Sequence, residues 1–251
     1  MKLLLDLGNT RLKWALRDGE AMRARGAVAW HDDIETVLSA MWGGLGAVAQ
    51  VLGASVVDAA REVRVAAIAQ SVCGRQVSWL RTPAQGCGVL SAYAEPERLG
   101  VDRFLAMVCA WHEGDAPCVL VGVGTALTLD ALDAQGRHLG GLIAPGPQLM
   151  QQSLWGATAR VRPEPGQILD AADNTADAVA SGCWQAAVAL IERFVSRQSP
   201  NLGGSPRVVL GGGDAAALQP LLAMPSKLTE DSVLRGLAVW ADAHSTTMPA
   251  P

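Results

Sequence analysis

Lys2-Leu3-Leu4-Leu5-Asp6-Leu7-Gly8-Asn9-Thr10-Arg11-Leu12-Lys13-Trp14-Ala15-Leu16 decides the fold. An apolar run ends in an acid, a glycine and two small polar residues, and a second apolar run follows. The first run has the character of a buried strand. Gly8-Asn9 is a turn signal, and Leu12, Trp14 and Leu16 alternate as a returning strand requires. The predicted hairpin gathers Asp6, Gly8, Asn9, Thr10 and Lys13 at one tip. Backbone N–H groups and a hydroxyl there suit the oxygens of a polyphosphate, and the carboxylate suits Mg²⁺, directly or through water. Alone, the stretch reads sooner as an ordinary hairpin with a polar tip, because short motifs match often by chance.

The pattern recurs. Val119-Leu120-Val121-Gly122-Val123-Gly124-Thr125-Ala126-Leu127-Thr128-Leu129-Asp130 places Val121 on Leu5 and Gly124 on Gly8, and repeats the apolar alternation. Two glycine-turn hairpins half a chain apart predict a duplicated fold with one phosphate loop in each half. A third element, Val208-Val209-Leu210-Gly211-Gly212-Gly213-Asp214, is a short strand running into glycines that admit a ligand close to the backbone. Phosphate, phosphate and adenosine motifs in this order resemble the acetate and sugar kinase/Hsc70/actin superfamily. The expected fold class is therefore α/β, a duplicated actin-like ATPase, ribonuclease H-like fold. No G-x-x-x-x-G-K-[ST] is present, which argues against a P-loop kinase.

The 251 residues suit two modest domains, and half of them are hydrophobic, enough for substantial cores. The division expected is 1–114 for the first domain, with the first phosphate loop and a substrate segment, and 115–251 for the second. Acidic residues outnumber basic ones and the net charge is -4, with no basic cluster, so no nucleic-acid partner is expected. Cys73, Cys87, Cys109, Cys118 and Cys183 are odd in number and lack metal spacing. They are expected as buried small hydrophobes in a reducing compartment. Asp6 interrupts the N-terminal apolar run too early for a signal peptide, and no stretch looks long enough to cross a membrane, so a cytoplasmic protein is expected.

Further along, Asp32 or Asp33 is expected to cap a helix through Ile34, Leu38 and Trp42, and Gly19 and Gly26 to punctuate short strands. Val63 to Ala69 is expected as a central strand, and Val77 to Leu80 as another. Phe104, Met107, Val108 and Trp111 fall at helical spacing, which predicts a helix from Arg103 with Asp102 as its N-cap. Arg103 at a helix start opposes the dipole, and a broken local rule points to function. Gly156 to Asn174, rich in Pro and Gly, is expected as a surface loop before a long helix from Thr175. Asp214 is expected to cap a helix, Ser232 to open the last one, and His244 to Pro251 to fray. The four histidines lack metal spacing and are expected to be surface or structural.

Asp6-Leu7-Gly8-Asn9-Thr10, Gly100-Val101-Asp102-Arg103, Gly124-Thr125-Ala126, Gly140-Gly141 with Pro145-Gly146, Thr175 to Gly182, and Gly211-Gly212 stand in the order seen in type III pantothenate kinases. The chain also resembles the subset described as Bvg accessory factor proteins. The resemblance spans nearly the whole chain. It implies ATP-dependent phosphorylation of the pantothenate hydroxyl, the first step toward coenzyme A, by a homodimer. By position it implies that Asp6, Leu7, Gly8, Asn9, Thr10, Arg11, Leu12 and Lys13 form the first ATP loop, with Asp6 helping to place Mg²⁺. It places Thr125, Gly211 and Gly212 at ATP, and Tyr93, Gly100, Val101, Asp102, Arg103 and Thr175 at pantothenate, with Asp102 as proton acceptor. Alternatives are another small-molecule kinase of the superfamily, or a non-catalytic regulator with a kinase-like fold. Asp102 beside Arg103 speaks against the regulator. One position departs from the family. Its second phosphate motif usually begins with an aspartate associated with a K⁺ or NH₄⁺ ion, and here that position is Gly122, which places the monovalent cation in doubt.

Overall fold

The computed structural model describes residues 1–158 and 160–244. The chain divides into two units, Met1–Glu113 with the segment from Ser232, and Gly114–Asp231.

In the first unit, β1 (Lys2–Leu7) and β2 (Arg11–Asp18) form the antiparallel hairpin expected, and β3 (Ala21–Ala29) extends it as an edge strand. After α1 (Ile34–Gly43), β4 (Gln50–Ser55) pairs parallel to β1, and β5 (Val77–Leu80) pairs parallel to β4 after α2 (Ala59–Cys73). The sheet order is β3-β2-β1-β4-β5. Leu3, Leu5, Leu7, Leu12, Trp14 and Leu16 lie on one face, against Ile34, Leu38 and Trp42 of α1 and Val65 and Ile68 of α2. Asp33 accepts a bond from Thr36 N and caps α1. A small hairpin, β6 (Gln85–Gly86) with β7 (Val89–Leu90), precedes α3 (Val101–His112).

The strand expected at Val63–Ala69 is corrected to the middle of α2. Asp58 caps that helix by accepting from Arg61 N, and Val65, Ile68 and Ala69 are its buried residues. That spacing is helical, so the alternation of Val63 and Val65 was misleading, and Val63 is exposed. The interior strand between β1 and β5 is instead β4, whose Gly and Ala content hides it.

The second unit repeats the plan. Strands β8 (Cys118–Val123), β9 (Ala126–Leu132) and β10 (His138–Pro145) form an antiparallel meander. Helices α4 (Pro147–Ala157) and α5 (Thr175–Gln198) follow, then β11 (Arg207–Gly211), the short α6 (Ala215–Leu218) and β12 (Ser226–Leu228), giving the order β10-β9-β8-β11-β12. Val119, Val121, Val123, Leu127 and Leu129 form one face, covered by Trp184, Ala187, Ile191 and Phe194 of α5. Helix α5 is long and apolar enough to cross a membrane by length and composition, which corrects the expectation that no stretch is. Its apolar face is spent on this core. Gly156 falls inside α4 rather than in the following loop. Part of that loop lies along α5: Asp177 accepts from Gln167 N at 2.6 Å, and Ser181 Oγ from Leu169 N at 2.9 Å.

The last helix, α7 (Ser232–Ala243), belongs to the first unit, which corrects the assignment of 115–251 to one domain. Arg17 donates to Ala238 O at 2.8 Å and pairs with Asp242 at 2.6 Å, and Lys2 donates to Ala241 O. Trp240 meets Phe104 of α3 edge-on. His244 stacks on Trp240, so it is held rather than frayed, and the remainder of the tail lies outside the described residues.

All five cysteines are free, with Cys109, Cys118 and Cys183 buried and Cys73 and Cys87 half-buried. Burial, reinforced by the Asp115 carboxylate, pushes the Cys118 thiol up to about 12. A thiol so hard to ionise is a poor nucleophile. His138 is structural: its ring is fully buried and Nε2 lies 2.9 Å from Asp130 Oδ1.

Candidate active site

The first loop begins where β1 and β2 stop pairing, beyond Leu7 opposite Leu12. Gly8 N donates to Arg11 O at 3.2 Å and closes it. Asn9, Thr10 and Arg11 are exposed, whereas the side chains of Leu7 and Leu12 are wholly in the core. Those two leucines offer a ligand only their backbone. Asp6 sits directly across the hairpin from Lys13, and both are half-buried. The arrangement sets a glycine turn of a kind that suits an anion beside one carboxylate and one ammonium on the same rung.

The second loop, in the other unit, is one residue shorter, because Val123 already faces Leu127. Gly124 N donates to Ala126 O at 3.1 Å, and Thr125 is exposed at the tip. Gly146 N donates to Thr125 O at 2.9 Å, and a Cβ on Gly146 would collide with the Gly124 carbonyl. Thus the start of α4 braces the loop, and only glycine permits the contact. The glycine triplet braces it from the other side. Gly211 pairs with Gly122, Gly212 adopts φ +103°, a Cβ there would strike Val123 O, and Asp214 N donates to the same carbonyl at 3.1 Å. Asp214 stands at the N-cap position of α6 but makes no side-chain capping bond. Within this unit the structure therefore brings Thr125, Gly211 and Gly212 together around the end of β8.

The rung that carries Asp6 and Lys13 in the first hairpin carries Gly122 and Thr128 in the second. A Cβ built on Gly122 would lie 2.5 Å from Thr128 Oγ1. The threonine hydroxyl fills the space that an acid would need.

The segment expected to bind substrate lies in the first unit. Gly100, not Asp102, is the N-cap of α3, since Phe104 N already donates to Gly100 O. Asp102 is the second residue of the helix, and Arg103 the third, which corrects the expected start at Arg103. The Asp102 Oδ1 atom accepts from Arg103 N at 2.8 Å. Its carboxylate therefore sits in the first helical turn, where the dipole favours an anion. Arg103 is buried to 6 % exposure and donates to Tyr93 OH at 3.2 Å, so these two expected partners meet. Sequence reasoning missed Thr82. Its buried Oγ1 donates to Leu99 O at 2.6 Å and pins the chain just before Gly100. No local signal marks a contact of this separation. Thr175 is the exposed first residue of α5, in the second unit, and Asn174 caps that helix by accepting from Asp177 N.

Two sheets of matching plan, each carrying a glycine-turn hairpin, have the duplicated architecture of the acetate and sugar kinase/Hsc70/actin superfamily. The fold agrees with solved structures. A Campylobacter jejuni chain assigned to the Baf family as a transcriptional activator superposes with TM-score 0.63 at 16% identity, covering 97% of this chain and 98% of the other. MreB 5 of Spiroplasma citri bound to AMPPNP gives 0.51 at 10% identity, covering 97% and 96%. The family model for type III pantothenate kinase matches residues 2–197. A type III pantothenate kinase of Laribacter hongkongensis is 44% identical over 239 residues, 95% of this chain and 97% of its own length. The chain belongs to the type III pantothenate kinase family.

Proposed function

We propose that the chain transfers the terminal phosphoryl group of ATP to the hydroxyl of pantothenate, as its family name states. The observation that carries the reading is the Asp102–Arg103–Tyr93 cluster at the start of α3, in a chain that also keeps both glycine loops. In this reaction the hydroxyl oxygen bonds to the terminal phosphorus as the bridge to the ADP oxygen breaks. The proton of the hydroxyl passes to the Asp102 carboxylate. A positioned base of this kind is worth a large factor even where phosphoryl transfer depends chiefly on alignment and charge. The Arg103 guanidinium, oriented by Tyr93, holds a polar or anionic group of the substrate in a fixed direction. Asp6 to Lys13 supply N–H groups and the cations of Arg11 and Lys13 to phosphate oxygens, Thr125 contributes a hydroxyl, and Gly211 and Gly212 let the nucleotide approach the backbone. Thr175 contributes at pantothenate.

Magnesium fits the residues present. Among the described residues no group of three or more His, Cys, Asp or Glu converges as a metal centre. A single hard carboxylate, Asp6, is what Mg²⁺ requires when phosphate oxygens and water complete its shell. Bound there with ATP, the ion would offset charge on the phosphates. A monovalent cation at the second hairpin would have only neutral oxygens to hold it and would bind weakly. Gly122 brings no carboxylate, and Thr128 Oγ1 occupies its place. The working form proposed is a cytoplasmic homodimer, and exposed Leu142 and Ile143 on edge strand β10 and Leu154 on α4 offer apolar surface for a second copy. The decisive test is ADP release with and without pantothenate. Release that depends on pantothenate supports the reading, and release indifferent to it overturns it.

A further inference from the structure

Trp30 follows β3 in the first unit and reaches the phosphate loop twice. Its indole Nε1 donates to Gly8 O at 2.7 Å, and its backbone N–H donates to Thr10 O at 3.4 Å. One residue thus holds the carbonyls on both sides of Asn9. In a trans peptide the C=O of one residue and the N–H of the next point in opposite directions. Tying Gly8 O to the indole therefore turns the Asn9 N–H away from Trp30, and tying Thr10 O does the same for the Arg11 N–H. The indole is itself fixed. The Arg61 guanidinium lies over its ring at 4.9 Å from the centroid, and Asp58 holds Arg61 at 3.5 Å. Packing alone would call for the ring, and not for a donor aimed at a loop carbonyl.

We propose that Trp30 is a positioning residue for the first phosphate loop, setting the Gly8–Asn9 peptide plane so that the Asn9 N–H faces the oxygens of bound ATP. The inference rests on the kinase reading above. A nucleotide loop must present its N–H groups before the ligand arrives, since a donor fixed in advance adds affinity without an ordering cost. In a glycine-led loop the peptide plane is free to flip, and a side-chain donor on the carbonyl removes that freedom.

Trp30→Phe keeps an aromatic ring in the packing and under Arg61 but deletes the donor. Binding of Mg·ATP and of pantothenate is measured separately by calorimetry, together with both KM values and the melting temperature. The expected result is ATP affinity weakened about three- to tenfold, the span of one neutral hydrogen bond, and a matching rise in KM for ATP. Pantothenate affinity and its KM should hold. Arg61→Ala, which frees the ring from outside the core, should weaken ATP binding in the same direction by a smaller factor, and it decides the matter if Trp30→Phe fails to fold. Unaltered ATP affinity in the variants, with only a lower melting temperature, would overturn the proposal and leave Trp30 as packing. Failure of the unaltered chain to bind ATP would instead overturn the kinase reading.

Discussion

Replacing Asp102 by Asn separates chemistry from folding at the position where the two were hardest to tell apart. Because Gly100 caps α3, the Asp102 side chain is not needed to start the helix. The bond it accepts from Arg103 N, 2.8 Å long, ends on Oδ1, and the Asn side chain keeps that acceptor. What the helix loses is one negative charge in its first turn, about 0.3–1 kcal/mol. What the reaction proposed above loses is its base. Deleting a positioned base costs about 10²–10⁴-fold in turnover, roughly 2.7–5.4 kcal/mol at 1.36 kcal/mol per decade. The chemical effect should therefore exceed the structural one several-fold. The assay is ADP release coupled to NADH oxidation at saturating ATP and pantothenate, beside a thermal melt of each protein. The expected pair of results is a melting temperature shifted by only a few degrees and turnover reduced at least a hundredfold. Turnover within about threefold of the unaltered chain, in a variant that melts normally, would refute Asp102 as the proton acceptor.

Other outcomes follow from the same geometry. Titrating K⁺ or NH₄⁺ into an assay run in Tris at constant ionic strength should activate little, and strong, saturable activation would show that groups other than Gly122 build a cation site. Light scattering at assay concentration should give a dimer, and an active monomer would refute the proposed assembly. Asp133 is 4 % exposed, and although burial pushes its carboxyl up, bonds from Arg137 and Gln135 hold it below the usual carboxylate value. A lowered native pKa stabilises the fold above the ordinary value and loses that contribution as pH falls through the native one. Asp133→Asn should thus cost on the order of 1–3 kcal/mol near neutrality, and the gap between the two stability curves should close in acid. A gap that stayed constant with pH would remove the charge from the explanation.

The hairpins were legible because alternation and turn chemistry are local. Asp6 to Lys13 and Gly124 to Ala126 sit where apolar rhythm breaks on glycine, and the structure closes each loop there. Helices with a side-chain cap and a regular apolar face, such as α1 and the start of α5, were legible for the same reason. Misreadings arose where two local signals competed. Val63 and Val65 alternate like a strand, yet Asp58 caps a helix through them. Asp102 is a better capping residue than glycine by preference alone, but the turn at Pro96–Arg98 delivers the chain so that Gly100 takes the cap. Beyond these lie contacts that no window of sequence contains. The bonds of Thr82 to Leu99, of Trp30 to Gly8, and of Arg17 to α7 join residues far apart in the chain.

The two hairpins also show how far a duplicated fold constrains a duplicated chemistry. Pairing places Asp6 opposite Lys13 in one copy and Gly122 opposite Thr128 in the other, on equivalent rungs before equivalent glycine turns. Each turn is closed by the N–H of its glycine, over a loop one residue shorter in the second copy. The charges differ. In the first unit the rung keeps an acid and a base beside the loop. In the second it holds a hydroxyl packed over a glycine, and the loop is braced by the backbone of Gly146 and Asp214. Glycine at 122 also suits its neighbour, because Gly211 of β11 lies directly beside it in register. Two glycines side by side at the end of a parallel pair leave the backbone open to a flat or charged ligand. An acid at 122 would narrow that approach and would have to displace Thr128 Oγ1. The missing carboxylate and the open glycine rungs thus go together: the second unit offers backbone shape at this rung, where the first has the charged pair Asp6 and Lys13.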